Sequence, residues 1–209
     1  MLKNEYEIHY FDNIIVCTGH SFLPHYPNIE NMDKFQGRKL HSHFYRNGSI
    51  FKGIFEINKK KLLNTYYETI PNLDQKLLIV GSWSNSLQIA ALNNDVAKHI
   101  YLAHPLHHKL QLNNLQNITA KPAVREFFEN GAIFEDGTRE CFDMLLLCTG
   151  YDTDLPCLST DCQLRIWRNH VYPLYKQCIN VHHPSMALIG ELYCTTIILL
   201  MKEIIGFCF

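Results

Sequence analysis

The chain has 209 residues, of which 47% are hydrophobic, so it can bury a core as one large domain or two small ones. Its net charge is −1, and the 19 basic residues form no stripe with interleaved aromatics, which argues against a nucleic-acid partner. The eight cysteines include no C-x-x-C pair, so we expect reduced, structural thiols in an intracellular protein.

Neither end of the chain predicts a targeting or membrane segment. The N-terminal MLKNEYEIHYF lacks the apolar core and cleavage site of a signal peptide. Residues 195–209 are apolar, but Lys202 and Glu203 interrupt them. We therefore expect a core helix or a truncated edge there, and no membrane span.

Short strands and loops are predicted for the first third of the chain. Tyr6–Tyr10 and Asn13–Cys17 suit strands, and a proline-containing loop follows to about Lys34. The polar and aromatic residues 35–53 are expected to connect two domains. Residues 54–75 are predicted to be a solvated insertion without a function of its own.

A β-α-β pattern begins at Lys76. KLLIVG predicts a buried strand ending at Gly81, SNSLQIAALNND a short helix, and HIYLAH a second strand. This succession has about the length of a dinucleotide-binding unit. Farther on, Asp136-Gly137 predicts a hairpin with a two-residue turn.

One pattern occurs twice in the chain: FDNIIVCTGH at Phe11–His20 returns as FDMLLLCTGY at Phe142–Tyr151. Each copy has an acidic residue, an apolar run that suits a strand buried on both faces, and Cys-Thr-Gly. Glycine after such a strand allows a sharp turn or the close approach of a ligand. The repeat predicts two dinucleotide-type α/β units and hence an oxidoreductase with two cofactors; a plain strand-to-loop turn is the alternative.

A longer motif gives a family resemblance. Phe35-x-Gly37-x-x-x-His41-x-x-x-Tyr45 matches the signature F-x-G-x-x-x-H-x-x-x-[YF] of flavin-containing monooxygenases. NGAIFEDGTRE, LLLCTGYDTDLPCL, VYPLYKQCIN and HHPSMALIG resemble insect members in particular. The resemblance extends from about Tyr6 to Glu203, apart from the insertion.

The resemblance implies an α/β fold of two Rossmann-like units, in which an NADPH unit is inserted into an FAD unit. It divides the chain into a first FAD segment (1–34), a linker (35–53), the insertion (54–75), the NADPH unit (76–147) and a return to the FAD unit (148–209). It implies an intracellular protein, in the cytoplasm or associated with the endoplasmic reticulum. Oligomeric state and membrane association are left open, although the chain itself does not predict a membrane segment.

The resemblance also implies a reaction. NADPH reduces FAD, the reduced flavin takes up O₂ as a hydroperoxide, and one oxygen atom passes to a nitrogen or sulfur atom of a small nucleophile. Bound NADP shields the flavin from water. A disulfide reductase would need a spaced cysteine pair, and a serine hydrolase would need G-x-S-x-G; the chain has neither.

Cofactor contacts are implied residue by residue, with no catalytic residue and no metal ligand among them. In the FAD unit, the implied contacts are Thr18, Gly19 and His20 after the first strand and Gly190 after the last one. In the NADPH unit, they are the loop residues Gly81, Ser82, Ser84, Asn85 and Ser86, and His104 at the end of the second strand. Thr149, Gly150 and Tyr151 would link the NADPH unit back to the FAD unit. A plain core strand is the alternative at Met186–Gly190. His104, with no acidic residue beside it, favours NADP over NAD, and solvated loop histidines or a zinc site are the alternatives.

The nucleotide loop departs from the family pattern. G-x-G-x-x-G becomes Gly81-Ser82-Trp83-Ser84-Asn85-Ser86, so only the first glycine remains. The indole of Trp83 would occupy or adjoin the space where phosphates contact bare amides, whereas the small Ser86 can still pack. We therefore expect NADPH binding to be weakened or lost.

Two further departures bear on activity. In the family, a strand, a glycine-rich FAD loop and a segment with an active-site asparagine come before the residues matched here, so we expect the FAD unit to be incomplete. Residues 54–75 stand where the family runs directly from Gly53 to Lys76; a lineage-specific loop and a translated intron both explain them. A non-catalytic remnant or fragment is the alternative to an active enzyme.

Overall fold

The computed structural model describes residues 7–46, 73–81, 83–109, 112 and 115–190. The chain forms two compact units. Unit 1 consists of Met1–Leu23 and Tyr151–Phe209, and unit 2 consists of Pro24–Gly150. Most of the expected insertion, the apolar segment 195–209 and the loop residue Ser82 lie outside the described residues.

Strands dominate the described part of the chain, with one ten-residue helix, α1, at Trp83–Leu92. The strands, in chain order, are β1 Ile14–Val16, β2 Leu23–Pro24, β3 Arg38–His41, β4 Leu73–Gly81, β5 Ala97–Ala103, β6 Ile118–Lys121, β7 Val124–Phe128, β8 Gly131–Phe134, β9 Arg139–Cys141, β10 Met144–Cys148, β11 Tyr151–Asp152, β12 Arg165–Trp167, β13 His170–Tyr172, β14 Leu174–Tyr175, β15 Ile179–Asn180 and β16 Met186–Leu188.

A five-stranded parallel sheet with the order β3-β10-β4-β5-β6 forms the centre of unit 2. The apolar runs of β4 and β10 are buried because the sheet is covered on both faces: Leu77 and Ile79 belong to one hydrophobic cluster, and Leu78 and Leu145 to another. The predicted β-α-β pattern is confirmed, although β4 begins three residues earlier than expected, at Leu73. The chain is thus an α/β protein with a parallel sheet.

The signature segment contributes a strand to this sheet, within the range expected to connect two domains. β3 pairs with β10 in parallel. Phe35, just before β3, is buried against Phe127 and Phe142, with ring centroids 6.0 and 4.8 Å away. A methyl group on Gly37 would lie 2.3 Å from the Phe35 ring, so the signature glycine makes room for the signature phenylalanine.

A three-stranded antiparallel sheet, β7-β8-β9, also belongs to unit 2. The predicted hairpin joins β8 to β9, but its loop is longer than the two residues expected. The Gly137 N–H donates to the Phe134 carbonyl, and the Phe134 N–H donates to the Thr138 carbonyl. Gly137 has φ +81°, which is the geometry of a type I turn closed by a left-handed residue.

Unit 1 contains a four-stranded sheet with the order β1-β16-β15-β14, in which β1 and β16 are parallel. The expected strand at Asn13–Cys17 is confirmed as β1, but the expectation that it is buried on both faces is wrong. β1 is an edge strand in which Ile14 and Ile15 are 45% and 63% exposed, and only Val16 is buried. The expected strand at Tyr6–Tyr10 is wrong for its described residues, 7–10, which form no strand. Ile8 and Tyr10 are 78% and 92% exposed, so the alternating pattern there has no sheet to pack on.

No helix in the described ranges is long and apolar enough to cross a membrane. None of the six cysteines that the structure describes is in a disulfide bond; they are Cys17, Cys141, Cys148, Cys157, Cys162 and Cys178.

Candidate functional site

The order of the five-stranded sheet fixes where a ligand can bind in unit 2. From β4 the chain passes through α1 to β5 and then to β6, whereas β10 lies on the other side of β4. The strand order therefore reverses between β4 and β10. In open α/β sheets, the crevice at the carboxyl ends of the strands at such a reversal is the usual ligand site. Gly81 ends β4, and Thr149 and Gly150 follow β10, so three of the predicted residues meet there.

Gly81 is held tightly against the neighbouring strand. Its φ is +132°, and a methyl group on it would lie 2.1 Å from the carbonyl oxygen of Cys148. Contacts of that length do not occur between real atoms, so no other residue fits without a backbone shift. The protein itself requires this glycine, whatever the ligand.

The turn after β10 is fixed by two hydrogen bonds to one residue. The Thr149 hydroxyl donates to the His25 carbonyl at 2.6 Å, and the His25 N–H donates to the Gly150 carbonyl at 3.0 Å. Gly150 has φ +84°, and a methyl group on it would meet nothing within 4 Å. The turn is thus rigid on one side and open on the other.

His41 of the signature motif ends β3, next to β10, and is buried to 1% exposure. Burial lowers the pKa of His41, a contact with the Gly150 backbone opposes this, and the neighbouring His43 and His25 lower it further. Its Nδ1 accepts a hydrogen bond from the His43 N–H at 3.1 Å. The ring is therefore neutral at pH 7 and supports the edge where the predicted residues meet.

Cys148 precedes that turn and is not a reactive thiol. Burial raises its pKa to about 12, against a smaller opposite effect of a hydrogen bond with Ser42. A thiol with such a pKa carries no thiolate at neutral pH. The repeated cysteine is therefore a small core residue in this copy.

α1 begins directly after the loop at Gly81, with Trp83 as its first residue. Ser84 and Asn85 are exposed in its first turn. Ser86 is buried to 1% exposure, and its Oγ lies 3.5 Å from the Gly81 carbonyl oxygen. Ser86 thus packs in the position of the third glycine, as the sequence suggested.

His104 follows β5 at the same edge of the sheet. Its N–H donates to the Lys121 carbonyl at 3.0 Å, and its Nδ1 accepts from the Leu106 N–H at 2.9 Å. The ring is engaged in closing its own loop. Within the described ranges, no group of three or more His, Cys, Asp or Glu side chains could hold a metal ion.

A second glycine-rich edge lies in unit 1, where the parallel strands β1 and β16 end side by side. Gly19 and Gly190 have φ +71° and +94°, and a methyl group on Gly190 would lie 3.3 Å from the Gly19 Cα. His20 Nδ1 donates to the Gly190 carbonyl at 2.7 Å. Thr18, which directly precedes Gly19, is exposed. Four predicted residues are therefore brought together here.

Tyr151 belongs to unit 1, and the residue that holds it was not predicted. Asn169 Nδ2 donates to the Tyr151 carbonyl at 3.1 Å, and the Asn169 Oδ1 accepts from the Thr153 N–H at 3.2 Å. Asn169 has φ +62° in the turn between β12 and β13. Its signal in the sequence was the tolerance of asparagine for left-handed turns.

Comparison with known proteins agrees with the signature. The profile of the family described as flavin-binding monooxygenase-like matches residues 2–58 and 83–206. Senecionine N-oxygenase of Tyria jacobaeae is 31% identical over 184 residues, which are 86% of this chain and 36% of that protein. Trimethylamine monooxygenase of a Roseovarius species is 28% identical over 184 residues, with the same two shares.

Solved structures show the same fold. The S-allyl-L-cysteine S-oxygenase of Allium sativum superposes with a TM-score of 0.71 at 24% identity, over 88% of this chain and 38% of that one. The chain thus spans little more than a third of the length of these relatives. Because the profile matches most of its residues, the chain belongs to the family of flavin-binding monooxygenase-like proteins.

Proposed function

We propose that the protein is a flavin-dependent monooxygenase that transfers one oxygen atom from O₂ to a nitrogen or sulfur atom of a small nucleophile. Family membership carries this proposal. Two relatives are named for oxygenation of amines or alkaloids and one structural neighbour for oxygenation at sulfur, which supports both kinds of acceptor atom. FAD and NADPH are the cofactors that the family implies.

We place FAD at the glycine-rich edge of unit 1, because its residues fit a ligand. A methyl group on Gly19 would meet nothing within 4 Å, so open space borders the backbone of this turn. Bare backbone allows a close approach, and parallel strands present their carboxyl ends to cofactors. FAD, when bound, supplies the oxygen chemistry, while the protein supplies binding and orientation.

His20 has a structural role at this edge. Its Nδ1 donates to the Gly190 carbonyl at 2.7 Å. The same bond ties the two glycine turns together, so that a ligand would meet one preformed surface.

NADPH fits the chain less well. The position of the second glycine in the fingerprint is Trp83, the first residue of α1. His104, expected near the ribose, closes its own loop through the Leu106 N–H. We therefore derive no step through NADPH in this chain.

Two further features belong to the proposal. Unit 1 would be the FAD unit and unit 2 the inserted NADPH-type unit. The two compact units support this division, although residues 24–34 and 148–150, which were predicted for the FAD unit, lie in unit 2. The predicted boundaries, 1–34, 35–53, 54–75, 76–147 and 148–209, are kept as part of the proposal.

A single-turnover assay tests the proposal without NADPH. The purified protein is loaded with FAD, reduced anaerobically with dithionite, and mixed with O₂ and trimethylamine or a thioether. We expect the N-oxide or S-oxide in an amount stoichiometric with the bound flavin. The assay is run with and without oxidised NADP, because bound NADP shields the flavin from water in the family. Reoxidation of bound flavin without oxygenated product under both conditions would contradict the proposal.

One observation favours a second candidate, a non-catalytic remnant of such an enzyme. The loop at the start of α1 keeps one glycine of three while the sheet around it remains intact. A protein that folds but retains no flavin would support this candidate.

A further inference from the structure

The three glycine positions of the nucleotide loop, here Gly81, Trp83 and Ser86, have different tasks in a dinucleotide-binding unit. In a dinucleotide fingerprint the first glycine makes the turn, the second lets the backbone meet the pyrophosphate, and the third allows helix and strand to pack closely. The first and third tasks concern the fold. Only the second concerns the ligand.

The first task is performed in full. Gly81 pairs with Cys148 in the sheet and leaves no room for a side chain, since a methyl group would lie 2.1 Å from the Cys148 carbonyl oxygen and 2.9 Å from the Thr149 nitrogen. Its φ of +132° is also unsuited to other residues. This glycine would be retained even if no nucleotide ever bound.

The third task is performed by a substitute. Ser86 is buried to 1% exposure beside β4 and approaches the Gly81 carbonyl oxygen with its hydroxyl. Farther along α1, Ile89 and Ala90 are buried as well, and so is Asn93 just after the helix. The helix therefore lies against the sheet with a serine where the fingerprint has glycine.

The second task falls to the position of Trp83. Trp83 carries the largest side chain of any residue, and it stands at the position whose backbone must come against the pyrophosphate. It is also the first residue of α1, where the unpaired N–H groups of a helix would meet an anion. The bare backbone that the fingerprint needs there is thus replaced by the bulkiest residue.

From this division of tasks we infer that unit 2 has kept the fold of a dinucleotide-binding unit and has lost its dinucleotide site, because Trp83 stands at the position of the second glycine. The inference goes beyond the proposed function, since it concerns nicotinamide binding alone. It follows that NADPH does not dock on this chain in the fingerprint manner.

Direct binding measurements on the full chain test this inference. NADPH is titrated against the wild type, and its fluorescence anisotropy reports the bound fraction. We expect no saturation of the wild type up to millimolar NADPH. Trp83→Gly should bind at least tenfold more tightly, and Trp83→Ala should fall between the two. Ser86→Gly is the matched control: it restores a packing glycine in the same loop, and we expect it to gain nothing.

Three results would overturn the inference: saturation of the wild type at micromolar NADPH, a Trp83→Gly protein that binds no better than the wild type, or an equal gain from Ser86→Gly. Circular dichroism on each variant confirms that it is folded, and Trp83→Ala serves if the glycine variant is not. Because neither flavin nor substrate is present, the outcome is independent of the oxygenation assay.

Discussion

Two glycines of this chain share a positive φ and differ in what surrounds them. Gly81 is enclosed by the Cys148 carbonyl, whereas a methyl group on Gly137 would meet nothing within 4 Å. An L-residue at the φ of Gly137, +81°, costs about 1 kcal/mol of backbone strain, and φ +132° at Gly81 is less favourable still. At Gly81 the contact with Cys148 adds to the backbone cost, whereas Gly137 has no such contact.

Gly81→Ala should therefore lower the free energy of unfolding by about 3 kcal/mol, because strain and overpacking add. Gly137→Ala should lower it by about 1 kcal/mol. Urea unfolding of both variants beside the wild type measures the difference. Equal losses would show that the contact with Cys148 is relieved without cost.

His41 predicts a pH dependence of stability. Its pKa in the folded protein is lowered from the ordinary value of 6.5, mainly by burial. The unfolded chain therefore binds more protons than the folded chain near and below pH 6.5, and stability must fall as the pH falls through that value. His99, whose pKa is also lowered mainly by burial, contributes in the same direction.

We expect His41→Gln to reduce the loss of unfolding free energy between pH 7.5 and 5.5. The loss that comes from His99 should remain in this variant. Urea unfolding at several pH values gives the slope for each protein. If the variant and the wild type lose the same free energy over this range, then His41 is not the buried neutral group described above.

At the scale of elements, the sequence predicted best where a single pattern decides the structure. Met144–Cys148 is an uninterrupted apolar run with a glycine two residues later, and it forms β10 with the expected bounds. The alternation at residues 7–10 looks equally regular but forms no strand, because a strand also needs a neighbour to pair with. Pairing is a property of the sheet and is not visible in a local pattern.

Contacts across long stretches of sequence were beyond prediction for the same reason. The signature motif marked His41 but gave no sign that it would lie beside Gly150, 109 positions later, or that residues 35–41 would join the sheet. The bonds of His25 to Thr149 and Gly150 likewise join residues that are more than 120 positions apart. The sequence therefore identified the candidate residues but not the residues that hold them in place through hydrogen bonds.

A charged contact links β6 to β9 and predicts a stability effect. Lys121 Nζ lies 2.5 Å from Glu140 Oε1, with side chains only 12% and 28% exposed. The ammonium also lies 5.4 Å from the centroid of the Phe134 ring and 5.8 Å from that of Tyr101. Burial, followed by a hydrogen bond with Glu140, raises the pKa of Tyr101 to about 12.

Glu140→Leu should lower the free energy of unfolding by about 2 kcal/mol, because it leaves a buried ammonium without its partner. The double variant Lys121→Met with Glu140→Leu should lose less than the single one, since neither charge then remains. Thermal or urea unfolding of the three proteins checks the order. A double variant less stable than Glu140→Leu would contradict this explanation.

At the scale of the whole molecule, the two copies of the repeat lie in separate units. β1 belongs to the four-stranded sheet of unit 1 and β10 to the five-stranded sheet of unit 2. Each copy ends in a glycine of positive φ beside which a methyl group would meet nothing. The repeat therefore marks an open strand end in each unit, and we propose a bound nucleotide only at that of unit 1.

Flavin binding by unit 1 underlies the proposed function, and a titration of FAD against the full chain measures it. Quenching of flavin fluorescence reports binding. Gly19→Phe fills the open space beside the turn, and Gly137→Phe places the same side chain on another open glycine of positive φ. We expect saturable binding by the wild type and by Gly137→Phe, and its loss in Gly19→Phe. Absence of binding by the folded wild type, or equal binding by all three proteins, would contradict this expectation.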